Sequence, residues 1–137
     1  MARMTGVIFS DLGLASSFMT LDWVRQELER SLGFSPFPAT LNLRPYASAD
    51  QETWRHIQRS STGMALAPES DGFCSARLYP IEIWSGQDSA SDKIPGAILL
   101  PEVKDYPSDK IEIVAPVRLK DHLGVRDGDS LTWEFLN

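Results

Sequence analysis

The chain alternates between short runs of period two and a few segments of period near four. Residues 40–44, TLNLR, put Leu41 and Leu43 on one side of a strand and Thr40, Asn42 and Arg44 on the other. The closing residues 130–136, SLTWEFL, set Leu131, Trp133 and Phe135 in the same alternation. TGVIFS at 5–10, MALA at 64–67, FCSARLYPIEIW at 73–84, AILLP at 97–101 and IEIVAP at 111–116 also read as strands. Pro80 marks an edge or a bulge within its run. Residues 20–32 read as the clearest helix, because Leu21, Val24, Leu28 and Leu32 recur at helical spacing. Thr20 is the expected N-cap, Asp22 suits the positive end, and Gly33 suits the C′ position. SADQETWRHIQR at 48–59 reads as a short helix capped by Ser48, with Gln51 completing a capping box. VRLKDHLGV at 117–125 holds a helical turn or two, and RDGD at 126–129 is a tight turn. Strands dominate and do not alternate with helices, which predicts a small closed barrel rather than a parallel α/β sheet.

With 137 residues the chain is expected to form one domain, 1–137, large enough to fold without a disulfide or metal. Cys74 is the only cysteine, so a reducing, cytoplasmic setting is expected and a buried structural thiol is its default role. The first residues carry no long apolar run, so no leader is expected, and no stretch approaches the ~20 apolar residues of a membrane span. The net charge of −6 disfavours nucleic-acid binding, which rests on neutralising phosphates. It is compatible with a small nucleotide accompanied by magnesium, because the ion brings its own positive charge.

The usual catalytic constellations are absent from the pattern. His56 and His122 fall in charged surface segments, Cys74 has no CxxC partner, and neither a GxSxG elbow nor a Walker loop occurs. The four tryptophans are expected to pack in the core or at its rim. Two features remain. DLGLASS, residues 11–17, is a small-residue loop after the first strand, of a kind that can bring backbone N–H groups to a phosphate; with one glycine it reads first as an ordinary turn. Thr40 and Asn42 offer hard oxygen donors that suit magnesium alongside phosphates and waters, or simply form a wet strand face.

Taken in order, GVIFSDLGLASSF, LGFSPFPATLNLR, LYPIEI and GAILLPEVKDYPSDKIEIVAPVRLKDHLGVRDGDSLTWEF resemble the CTP-dependent riboflavin kinases first recognised in archaea. The stretches cover most of residues 6–135; residues 46–72 and 85–93 match poorly. The resemblance implies a mainly β fold, a compact six-stranded cradle-loop β-barrel with one inserted helix and short helical turns. It implies transfer of the γ-phosphate of CTP to riboflavin, giving FMN and CDP, with Mg²⁺ held by Thr40 and Asn42. It places the nucleotide on the loop Leu12, Gly13, Leu14, Ala15, Ser16 and Ser17 and on Val117, Arg118, Leu119 and Lys120. It places the flavin against Glu112 and, at the position of a family threonine, Lys104.

This sequence departs from the family at several of these places. A G-x-G-x-G loop is here Asp11, Gly13, Ala15, the basic loop residue is Ser16, and the glycine before TLN is Ala39. Two other readings therefore stand beside the kinase. One is a catalytically impaired barrel that binds flavin or nucleotide, and the other is a kinase whose acceptor has changed. The expected partners are small molecules, with neither nucleic acid nor membrane among them, and the pattern is silent on oligomeric state.

Overall fold

The computed structural model describes residues 3–10, 19–60, 62–66, 75–86 and 93–136. The loop Leu12, Gly13, Leu14, Ala15, Ser16 and Ser17 and the thiol of Cys74 lie outside the described residues. The strands are β1 (Arg3–Phe9), β2 (Leu41–Pro45), β3 (Met64–Leu66), β4 (Ala76–Ser85), β5 (Ile94–Pro101), β6 (Ile111–Val114) and β7 (Ser130–Phe135). The helices are α1 (Asp22–Leu32), α2 (Ser48–Ser60) and α3 (Leu119–Leu123).

All pairings are antiparallel, in the order β3-β4-β5-β6-β2-β1-β7, and β7 returns to β4. Six strands thus close into a barrel, as expected, and β3 is an added strand. Closure removes the exposed edges that a sheet of this size would otherwise offer. One edge of β4 is shared: β3 pairs with it up to Leu78 and β7 from Ile81 onward. Pro80 falls between the two partners, so its missing N–H forfeits no ladder bond, and its carbonyl accepts from the Leu136 N–H at 2.9 Å. Strand β5 begins at Ile94, earlier than its apolar run suggests. Pro95 and Gly96, which read as loop residues, precede the point where β6 joins at Ala97.

The alternation sorts residues into two cores. Inside the barrel lie Met4, Ile8, Leu41, Leu43, Ile81, Ile83, Ile111, Ile113, Leu131 and Trp133, with Trp54 of α2 and Leu119 of α3 joining them. Outside, Val24 and Leu28 of α1 cover Leu66, Ala76, Leu78, Ala97, Leu99 and Val114. Trp54, Trp84 and Trp133 are fully buried, which bears out core packing for three of the four tryptophans.

Two local expectations change. Leu21, not Thr20, occupies the N-cap of α1 and makes no side-chain cap bond, while Gly33 closes the helix at φ +79° as predicted. Helix α2 is longer than α1, with 13 residues against 11, because Trp54 anchors it to the barrel. Ser48 is already helical, and Gln51 Nε2 donates to the carbonyls of Pro45 and Tyr46 instead of forming a capping box. Among the described residues no helix is long and apolar enough to cross a membrane.

Candidate active site on the barrel wall

Thr40, Asn42 and Arg44 lie on the outer side of β2, since Leu41 and Leu43 fill the interior. Asn42 is paired in register with Glu112 of β6, so the two side chains share that face. Glu112 is 4% exposed, and a buried carboxylate needs hydrogen-bond donors to offset lost hydration. It has two: Thr40 Oγ1 donates to Oε1 at 3.1 Å and Tyr106 OH donates to Oε2 at 2.7 Å. Asn42 Oδ1, directly across the ladder, is buried and has no partner among the described residues. A buried acceptor left open is uncommon, and here it stands beside a hydroxyl and a carboxylate.

These oxygens suit a hard cation. Among the described residues no three His, Cys, Asp or Glu side chains converge, so phosphate and water oxygens would complete the shell of a cation at Asn42. The residues present therefore fit a magnesium ion brought in with a nucleotide.

Thr40 also lines a cleft of about 120 Å³ between the β2 approach and the segment after β6. Phe37, Ala39, Ala115, Val117, Arg118, Leu119 and Lys120 line it too. The fold thus brings Val117, Arg118, Leu119 and Lys120, four of the ten expected nucleotide residues, to one member of the expected metal pair. They are not equivalent. Leu119 is a buried core residue that borders the cleft. Arg118 is exposed and pairs with Asp121 at 2.7 Å. Lys120 Nζ reaches Asp127 Oδ1 at 2.8 Å and Ser10 Oγ at 3.4 Å. Lys104 is exposed in the 102–110 connection and lines neither this cleft nor the one beside Tyr106.

That second cleft, about 280 Å³, is lined by Tyr79, Leu100, Val103 and Tyr106, with Gln58 and Arg77 at its polar margin. Tyr106 belongs to both places: its ring borders this cleft and its hydroxyl holds Glu112.

Tyr106, Ser10 and Asp127 were not singled out from the sequence. Tyr106 sits in the YPSD run and Asp127 in RDGD, where turn chemistry hides a site role. Gly128, at φ +93°, makes the turn that presents Asp127, and its N–H bonds the Ile8 carbonyl at 2.9 Å.

The hydrogen bond from Lys120, then that from Ser10, holds the Asp127 carboxyl below its ordinary value of 3.8. A carboxylate whose pKa is lower folded than unfolded stabilises the fold above the unfolded value and loses that contribution as pH falls through the folded one. Asp127→Asn is therefore expected to flatten the loss of stability between about pH 5 and about pH 3. Denaturant midpoints measured across that range for both proteins check this.

The closed barrel, its polar strand face and the two clefts flanking that face define a small β-barrel with a candidate ligand site on its wall. The sequence matches the family described as CTP-dep_RFKase, Domain of unknown function DUF120, over residues 8–134. The chain belongs to this family of CTP-dependent riboflavin kinases. It is 33% identical over 135 residues to a riboflavin kinase of Pyrobaculum arsenaticum, covering 98% of this chain and 60% of that protein. A riboflavin kinase of Methanocella arvoryzae is 31% identical over 131 residues, covering 93% and 54%. One of Archaeoglobus fulgidus is 28% identical over 137 residues, covering 98% and 54%. The chain thus spans a little over half the length of the curated relatives it matches.

Proposed function

We propose that this domain transfers the γ-phosphate of CTP to the terminal ribityl hydroxyl of riboflavin, giving FMN and CDP, with Mg²⁺ held through Thr40 and Asn42. The observation that carries this reading is the Asn42 oxygen opposite Glu112, buried and unpaired among the described residues, with Glu112 itself held by Thr40. Phosphoryl transfer needs little covalent chemistry from the protein; it needs both substrates placed end to end and the phosphate charge neutralised. The Thr40–Glu112 contact supports such a meeting point, since it joins a residue expected at the metal to one expected at the flavin.

Each cleft then takes one substrate. The segment 117–120 and Thr40 receive the nucleotide. The cleft beside Tyr106 receives the planar flavin: its mixed lining sets Tyr79 and Tyr106 against the rings and leaves Gln58, Arg77, Glu102 and Ser108 for polar contacts. Glu112 accepts hydrogen bonds from the ribityl chain in exchange for one of its present donors. Magnesium, when bound, neutralises the phosphate oxygens and offsets their repulsion by Glu112.

The protein should convert riboflavin to FMN when given CTP and magnesium, followed by chromatography, with ATP, GTP and UTP as parallel donors. FMN formation with CTP that stops on chelation of the metal is the expected result. No FMN with any of the four nucleotides, or riboflavin binding without turnover, contradicts the reading.

A further inference from the structure

Arg44 ends the polar row that Thr40 and Asn42 begin, and neither of the two clefts is lined by it. In register it faces Val7 of β1, whereas Asn42 faces Phe9. Its guanidinium nevertheless lies over the Phe9 ring, with Cζ 3.9 Å from the ring centroid. The side chain therefore leans back along β2 toward Asn42. Its Nε is 3.5 Å from Asp109 Oδ2, with side-chain exposures of 56% and 63%. An exposed contact of that length holds weakly and yields readily to a stronger anion. Stacking on Phe9 fixes the plane of the guanidinium while leaving N–H edges open for paired contacts to phosphate oxygens.

We infer that Arg44 contacts the terminal phosphoryl group of the bound nucleoside triphosphate and neutralises it during transfer. This rests on the kinase reading above. The order of groups along β2 assigns the phosphate: the nucleotide cleft is at Thr40, the open amide oxygen follows at Asn42, and Arg44 comes last. At about 3.3 Å per residue the Arg44 backbone lies about 13 Å along the strand from that of Thr40, and its side chain leans back over Phe9, which brings the guanidinium toward the far end of the phosphate chain. Both cations that line the cleft itself are held by acids, Arg118 by Asp121 and Lys120 by Asp127. In the step, the bond between the γ-phosphorus and the β,γ-bridging oxygen breaks and its electron pair leaves with CDP. A bond from the ribityl oxygen to that phosphorus forms, and the hydroxyl proton ends in water, so CTP⁴⁻ and riboflavin become CDP³⁻, FMN²⁻ and H⁺. Arg44 contributes where negative charge moves onto the phosphoryl oxygens.

The test compares wild type, Arg44→Ala and Arg44→Lys in FMN formation. It also compares their magnesium-dependent affinities, by calorimetry, for CDP and for β,γ-methylene-CTP. With Arg44→Ala, kcat is expected to fall by about 100-fold or more. CDP affinity should stay within about threefold, while the methylene analogue loses its advantage over CDP. Arg44→Lys should recover part of both losses, and thermal melts establish that each variant is folded. Unchanged kcat in folded Arg44→Ala, or an equal loss of affinity for CDP and for the analogue, overturns the assignment while leaving the kinase reading in place. A wild-type protein that makes no FMN overturns both.

Discussion

Asn42→Ala is expected to lower FMN formation by about 100-fold or more while leaving the fold as stable as before or more so. The two effects have one cause. Asn42 Oδ1 is buried without a partner among the described residues, and such an acceptor costs about 1–3 kcal/mol of stability. Truncation removes that cost together with the oxygen assigned to the metal. The melting temperature is therefore expected to hold, or to rise by about 3 °C or more. A side chain kept for structure behaves oppositely, because its removal leaves partners stranded and lowers stability. Steady-state rates and thermal melts on the same preparations separate the cases. A fall in melting temperature with activity retained would make Asn42 a structural residue.

The largest loss of stability is expected at Trp133. It is fully buried in β7, the strand that joins β1 to β4 and so closes the barrel, where it pairs with Met4 on one side and Ile83 on the other. Its indole packs so closely on Gly6 that a Cβ there would stand 3.0 Å from the ring. Trp133→Ala leaves a void at this seam and is expected to cost about 3–5 kcal/mol, enough to lower the melting temperature by about 10 °C or more. Gly6→Ala overfills the same place and is expected to cost about 1–3 kcal/mol alone. In a Trp133→Phe background the extra methyl meets a smaller ring, so the ring's share of the cost should shrink, while the contact with the Arg44 carbonyl, also 3.0 Å away, remains. Denaturant unfolding of the two single variants and the double variant measures that coupling. Additive effects would mean that the two residues do not share the space.

The strands, the interior side of each and the polar row on β2 are legible because alternation is a local signal. Leu41 and Leu43 could face the core only if Thr40 and Asn42 faced away. The partnerships of those outward residues are not local. Thr40 meets Glu112 across 72 positions of sequence, and Ser10 meets Asp127 across 117. No composition rule links such pairs. Closure of β7 on β4 is hidden for the same reason, and so is the anchoring of α2 by Trp54, whose segment reads as a surface helix. Leu119 illustrates a different limit: resemblance assigns four consecutive residues to the nucleotide, but packing spends one of the side chains on the core. The degenerate small-residue loop at 12–17, which resemblance assigns to the phosphates, lies outside the described residues.

A calorimetric titration of CDP into the wild-type protein and into Asn42→Ala, each with magnesium and with chelator, bears most directly on the polar face of β2. If Thr40 and Asn42 hold the cation that carries the phosphates, wild type binds CDP tightly only with magnesium, and Asn42→Ala binds it weakly under both conditions. Equal affinity with and without magnesium in wild type, or magnesium-dependent binding undiminished in Asn42→Ala, would show that this strand face is not the metal–nucleotide site.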